Sequence, residues 1–215
     1  NLNDTVIPEA GPYTTYRYAY YKLTADIVLN TWNDNGDGIV QAGELSNSNN
    51  ADGGGPLEWT PIGVAIDYTT PFSGSLDGDG HTVSGLYIDN AGEDCQGLVG
   101  DVYGGGVKNL GLTGGFVRGG SDVGGIAGSL NSGGQVVNCY NTGSVSGTGD
   151  CVGGLVGGSY SGNCTVRESY NTGSVSGVGY VGGLIGWNVY FISNSYNTGS
   201  VSGTGNNVGG IVGYS

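Results

Sequence analysis

The chain has no methionine, one histidine, three phenylalanines and only five lysines and arginines in 215 residues. No apolar run approaches the ~20 residues that a membrane-crossing helix needs, so membrane insertion is not expected. A net charge of −13 with so few bases leaves no basic patch for nucleic acid or an anionic bilayer. Five prolines and the lack of a strict three-residue glycine period exclude a collagen helix. Because translation starts at methionine, its absence leads to the expectation that the chain was processed or excised from a longer product.

What is present is glycine, tyrosine and acid. Glycine accounts for 48 residues and tyrosine for 15, and the hydrophobic share of 37% is too high for a disordered linker. Residues 1–94 hold 14 of the 18 acids with only Arg17 and Lys22 as bases, a net −12, whereas residues 95–215 carry −1. Two zones are therefore expected, an acidic lead-in over 1–94 and a near-neutral array over 95–215.

The array is repetitive. Val123-Gly-Gly-Ile-Ala-Gly128 recurs from Val152, Val181 and Val208 at spacings of 29, 29 and 27, with a degenerate copy from Cys95. Between the copies lies Tyr-Asn-Thr-Gly-Ser-Val-Ser-Gly, beginning at Tyr140, Tyr170 and Tyr196. Glycine interrupts the chain too often for helical repeats. The remainder reads as short Val/Ile/Tyr/Thr strands between Gly and Asn turns. One such unit cannot bury its apolar side alone, but stacked units can.

The expected fold is therefore all-β, a parallel β-helix (β-solenoid) with coils of about 28 residues. The handedness rule for parallel crossovers favours the right-handed form. Inward columns are expected at Val123/Val152/Val181/Val208, Ile126/Leu155/Leu184/Ile211, Val117/Val145/Val175/Val201 and Val107/Val136/Val166/Ile192. The Gly-Gly pairs are expected at corners with unusual dihedrals and close coil approach. Asn109/Asn138/Asn194, interrupted by Glu168, and Asn141/Asn171/Asn197 are expected to hydrogen-bond along the stack.

Gly-Leu-Val-Gly at 154–157 and Gly-Leu-Ile-Gly at 183–186 resemble the GLUG repeat, clearly over 95–215 and more loosely over 16–92. The resemblance implies a secreted or surface-displayed microbial solenoid with adhesive or spacer duty and carries no catalytic residues.

Several segments are candidate sites. Asn33-Asp-Asn-Gly-Asp-Gly-Ile-Val-Gln-Ala-Gly-Glu44 follows the twelve-residue calcium loop, with Asn33, Asn35 and Asp37 as side-chain ligands, Ile39 offering its carbonyl and Glu44 closing the site. Asn at the first position weakens the ligand set, and Leu45 onward is a poor helix, so the expectation is an isolated Ca2+ staple or a solvated turn. Asp77-Gly-Asp-Gly-His81 reads as a turn. Asp122 and Asp150 lie nearly one coil apart, as a carboxylate pair would, but are offset by one position. Tyr140, Tyr170 and Tyr196 form either an outward ridge for a sugar or packing. Cys95 and Cys151 fall two coils apart, roughly 9–10 Å, too far for a disulfide. Cys139 aligns with Ser169 and Ser195 as a small buried thiol. No pairing follows from the register, although an even count in an exported chain tilts toward one disulfide.

The functional expectation is a non-catalytic extracellular module, an adhesive or spacer segment of a larger microbial surface protein. The alternatives are a glycan-binding module and, more distantly, a polysaccharide-active β-helix enzyme. The expected partner is a surface glycan or protein of a host or neighbouring cell. The array stops just after opening a fresh coil, so a longer array, or self-association through an uncapped C-terminal coil, is also expected.

Overall fold

The computed structural model describes residues 18–32, 45–46, 55–63, 70–187 and 190–215. These residues form five parallel sheets and one antiparallel pair, with no α-helix among them. Each parallel sheet takes no more than one short strand from a coil, with six strands in two sheets, five in two and four in one, so hydrogen bonds run between coils along a single axis. The result is a β-solenoid.

One rung shows the path. Gly106–Lys108 lies in the first sheet, Gly111–Thr113 in the second, Phe116–Gly119 in the third, Val123–Gly124 in the fourth and Ala127–Asn131 in the fifth. The chain then steps up one rung and Gln135–Val137 pairs with Gly106–Lys108. Identical motif positions stack: Val123 pairs with Val152, Val152 with Val181 and Val181 with Val208. The other three expected columns are also in register.

Period-two alternation turns alternate side chains into the solenoid. Val123, Ile126, Leu155 and Leu184 are fully buried, and each such residue contributes about 1.5–3 kcal/mol. The cover comes from the next rung rather than from the local strand. Val208, in the same column as the buried Val181, is 44% exposed because no described rung follows it.

The ladder runs without a break through the compositional boundary near residue 94. Tyr20–Lys22 pairs with Ser75–Asp77, Ile27–Val28 with part of Thr82–Ser84, and Ile62 and Phe72 bridge to Val99 and Val102. The described lead-in thus builds rungs of the same stack. The chain leaves this stack at an antiparallel pair, Thr31–Trp32 with Leu45–Ser46.

The corners differ from expectation in one respect. The Gly-Gly pairs are not where the backbone turns left-handed. That conformation falls on the residue preceding each Val-Gly-Gly motif: Asp122 (φ 56°), Cys151 (φ 62°), Tyr180 (φ 49°) and Asn207 (φ 65°), with Cys95 (φ 56°) below them. The motif glycines are required by closeness instead. A Cβ on Gly154 would lie 2.3 Å from the Gly183 carbonyl oxygen and 2.4 Å from Asn171 Cγ. One on Gly157 would lie 2.4 Å from the backbone of Asp122 and Val123, one rung below. A second left-handed corner carries the other asparagine column, in which Asn138 Nδ2 donates to Asn109 Oδ1 at 2.9 Å as expected. It holds Asn109, Asn138, Glu168 and Asn194, all with φ between 49° and 54°. Asparagine tolerates this region better than most residues.

Candidate functional site

Three groups of side chains recur or converge, and each follows from where its strand sits. In the second sheet, Tyr140, Tyr170 and Tyr196 pair in register and alternate with Asn141, Asn171 and Asn197. Alternation sends the tyrosines outward and the asparagines inward. The tyrosine rings stack with centroids 4.9 and 5.1 Å apart and planes within 4° of parallel. Their faces are turned to one another along the axis, so edges and hydroxyls meet solvent between them. Tyr140 also lies over Gly111, where a side chain would strike its ring. Tyr196, last in the stack, is 52% exposed.

Behind them the asparagines form an interior ladder. Asn141 Nδ2 donates to Asn171 Oδ1 at 3.1 Å, and Asn171 Nδ2 donates to Asn197 Oδ1 at 2.9 Å. Each amide also reaches the carbonyl two residues on, at Gly143, Gly173 and Gly199. Asn141 Nδ2 further donates to the Gly154 carbonyl at 3.0 Å, which ties the tyrosine motif to the Gly-Gly motif. Buried amides need such partners. The same column begins with Ile27, Val83 and Leu112, so it changes from apolar to amide part-way along the rod.

The third group was not expected. Asp122, at the left-handed corner before the fourth sheet, accepts a hydrogen bond from Tyr160. In the fifth sheet the ladder Asp101, Ser129, Gly158, Trp187, Tyr214 runs up the outer face. Gly158 leaves a gap in it, and the Tyr160 ring fills the gap. Trp187 meets that ring edge-on at 5.0 Å. Asp101 is buried and accepts from Ser129 Oγ (2.8 Å) and Asn131 Nδ2 (2.9 Å).

Burial pushes the Asp122 carboxyl up to about 6, with the charges of Asp94 and Asp101 adding to the rise and the Tyr160 hydrogen bond opposing it. Burial likewise raises the Tyr160 phenol, aided by the Asp122 charge. Cys95 and Cys151 occupy the rungs below and above Asp122, and burial pushes their thiols up to about 12 and about 11. These thiols are protonated and unreactive at neutral pH. The sequence signal for this cluster was slight: a non-Gly residue at each corner and a glycine where the next rungs carry Trp and Tyr.

The remaining expectations are placed as follows. Asp122 N–H donates to the Asp150 carbonyl at 3.1 Å, yet the two carboxylates do not share a site. Cys151 stacks above Asp122, and the Asp150 backbone N–H instead donates to Ser121 Oγ (3.2 Å). Asp77 and His81 do not pair. His81 Nδ1 lies 3.2 Å from Asp26, and Asp77 accepts from Asn109, the Asp79 N–H and Tyr20. Burial opposes ionisation of Asp77, but these bonds and Lys108 outweigh it and hold the carboxyl well below the usual range. This segment is a turn.

All four cysteines are free and buried, which corrects the lean toward a disulfide. They fall on three different corners of the coil. Cys139 substitutes for serine: its N–H donates to Ser169 Oγ at 3.0 Å, and Ser169 N–H donates to Ser195 Oγ at 3.1 Å. The calcium-loop residues Asn33, Asn35, Asp37, Ile39 and Glu44 lie outside the described residues. Among the described residues no group of three or more His, Cys, Asp or Glu side chains converges to hold a metal ion.

Two known proteins resemble this chain. Over 150 residues it is 40% identical to Halomucin from Haloquadratum walsbyi, a match covering 67% of this chain. The chain spans about 1% of the length of that relative. A crystal structure from Bacteroides ovatus, of a protein assigned as an immunoglobulin A1 protease, superposes with a TM-score of 0.52. It is 20% identical, and the match covers 91% of this chain and 67% of that one. What this second likeness shows is the fold. No protein-family model matches the chain.

Proposed function

We propose that this chain is a non-catalytic, GLUG-like spacer segment of a larger extracellular surface protein, with adhesion as the duty of the exposed faces. The observation carrying this reading is that each repeated column bonds chiefly to its own copies along the axis. The asparagine ladder, the tyrosine stack and the valine columns all join rung to rung, which stiffens a rod. The likeness to one short part of Halomucin, whose name speaks of a mucin, supports placement in a long surface protein. A net charge of −13 keeps such a rod soluble and apart from its neighbours. Surface protease treatment of intact native cells tests the placement. Loss of the segment supports display, and full protection overturns it.

The alternative is glycan binding through Tyr140, Tyr170 and Tyr196, favoured by their exposed edges and hydroxyls in a regular row. Binding on a glycan array that disappears in Tyr170→Ala would establish it. A polysaccharide-active enzyme centred on Asp122 would release sugars and lose that activity in Asp122→Asn.

Calcium belongs to this proposal as a staple. Asn33, Asn35, Asp37, the Ile39 carbonyl and Glu44 would hold it, all oxygen donors suited to a hard cation. The Thr31–Trp32 and Leu45–Ser46 pair brings together the two ends of the loop, as such a staple requires.

A further inference from the structure

We propose that Asn163 is an acceptor for an N-linked glycan, projecting radially from the solenoid. The tripeptide Asn163-Cys164-Thr165 is an acceptor sequence of the form Asn-X-Thr with X other than proline. It is the sole such tripeptide among the described residues; Asn3-Asp4-Thr5 lies outside them.

The fold presents this asparagine unlike the ladder asparagines. Asn109, Asn131, Asn138, Asn141 and Asn171 all engage their side-chain amides with neighbouring rungs. The Asn163 carboxamide has no hydrogen-bond partner among the described residues. It sits in an exposed turn, with Ser161 and Gly162 exposed beside it, between Val156–Ser159 and Thr165–Arg167. The turn itself is firm. Cys164 N–H donates to the Gly162 carbonyl at 2.7 Å and its thiol to the Ser161 carbonyl at 3.0 Å. Thr165 Oγ1 donates to the Asn163 carbonyl at 3.3 Å, which keeps the required hydroxyl beside the acceptor residue.

Room exists for the product. On the rung below, Gly133 stands two residues before Gln135, the pairing partner of Thr165, and a Cβ there would meet nothing within 4 Å. The rung below therefore leaves open space beside this corner, into which a sugar on the exposed Asn163 can extend. The donor class is an oligosaccharide linked to a polyprenyl phosphate or diphosphate. Asn163 Nδ2 forms a bond to the anomeric carbon and the bond from that carbon to the phosphate oxygen breaks. The lipid phosphate leaves with the electron pair, and the amide proton passes to a base of the transferase.

This inference rests on the exported-surface reading, because such transfer occurs outside the cytoplasm. The test separates the two. The chain is secreted behind an appended leader from an N-glycosylating host, so export is imposed and only the acceptor is probed. Trypsin releases residues 119–167, between Arg118 and Arg167, in which Asn163 is the one acceptor asparagine. The expected result is a glycan mass on this peptide that is lost in Asn163→Gln and Thr165→Val and retained in Thr165→Ser. The circular dichroism of Asn163→Gln should match that of the parent. An unmodified 119–167 peptide, while a control glycoprotein in the same culture is glycosylated, overturns the proposal. Surface labelling of native cells reads the display question independently.

Discussion

Tyr160 donates its phenolic hydrogen to Asp122, 38 residues earlier and one rung below, across the gap left by Gly158. The contact fastens the turn after the fifth sheet to the left-handed corner before the fourth. It also keeps a carboxyl buried with no cation beside it among the described residues, and that has a consequence for pH.

Stability should fall as pH rises through 4 to 7. The Asp122 carboxyl is raised by burial from 3.8 to about 6, so the fold favours its protonated form. The associated stabilisation is complete below 3.8 and is lost as pH rises through about 6. It amounts to on the order of 3 kcal/mol. Asp77 acts oppositely, because its carboxyl is held low. Its contribution is lost only as pH falls below its ordinary 3.8. Urea unfolding at pH 4.5 and 7.5 should show the difference in the parent and a flatter profile in Asp122→Asn. Equal slopes in both would remove Asp122 as the cause.

The requirement for glycine should depend on the next rung, not on the motif. A Cβ on Gly183 would lie 2.1 Å from the Gly210 carbonyl oxygen, whereas one on Gly210, in the same motif position, meets nothing within 4 Å. Gly183→Ala should cost on the order of 4 kcal/mol or abolish folding, and Gly210→Ala should stay within about 0.5 kcal/mol. Thermal melts of the two variants decide. Similar losses would mean that the glycine acts locally.

Breaking the interior amide ladder should be costly. Asn171 is fully buried, donates to Gly173 and Asn197, and accepts from Asn141. Asn171→Ala removes these bonds and leaves neighbouring amides short of partners, a loss of about 2–4 kcal/mol. Hydrogen exchange should report the opening first at Asn141 and Asn197. An unchanged melting temperature would show that the ladder adds nothing.

One substitution should stabilise. Glu168 has φ 54° in a column otherwise filled by Asn109, Asn138 and Asn194. Asparagine relieves the left-handed strain, and the Arg167–Glu168 pair that is lost is half exposed and worth little. Glu168→Asn should gain about 0.5–1 kcal/mol. A lower melting temperature would contradict the strain argument.

Calcium should raise the melting temperature of the full chain and chelator should reverse the rise, with Glu44→Gln insensitive to both. Identical melts under all these conditions would dismiss the staple.

The stacking of Val123 on Val152 and Val181 was legible because a period repeated several times leaves few other registers that bury its valines together. The outward tyrosines and inward asparagines of the Tyr-Asn pairs followed from strand alternation once the strand was recognised. The cause of the Gly-Gly pairs was not legible. Sequence marks a glycine but not whether a dihedral or a neighbour demands it, and here the neighbour is a backbone one rung away. Nor could Tyr160 and Asp122 be joined from sequence, since the corner position of Asp122 holds a different residue in each repeat and Tyr160 belongs to no repeated motif.

By itself, then, the sequence determined the rungs: their length, their inward columns and the sheet into which each motif falls, all consequences of local alternation repeated at a fixed interval. Only the tertiary structure decided what lies between rungs at the corners. There a left-handed residue on one coil meets a glycine on the next, a lone tyrosine fills a missing side chain, and four thiols stay apart. These contacts join positions that differ from repeat to repeat, and a repeating pattern carries no information about its own exceptions.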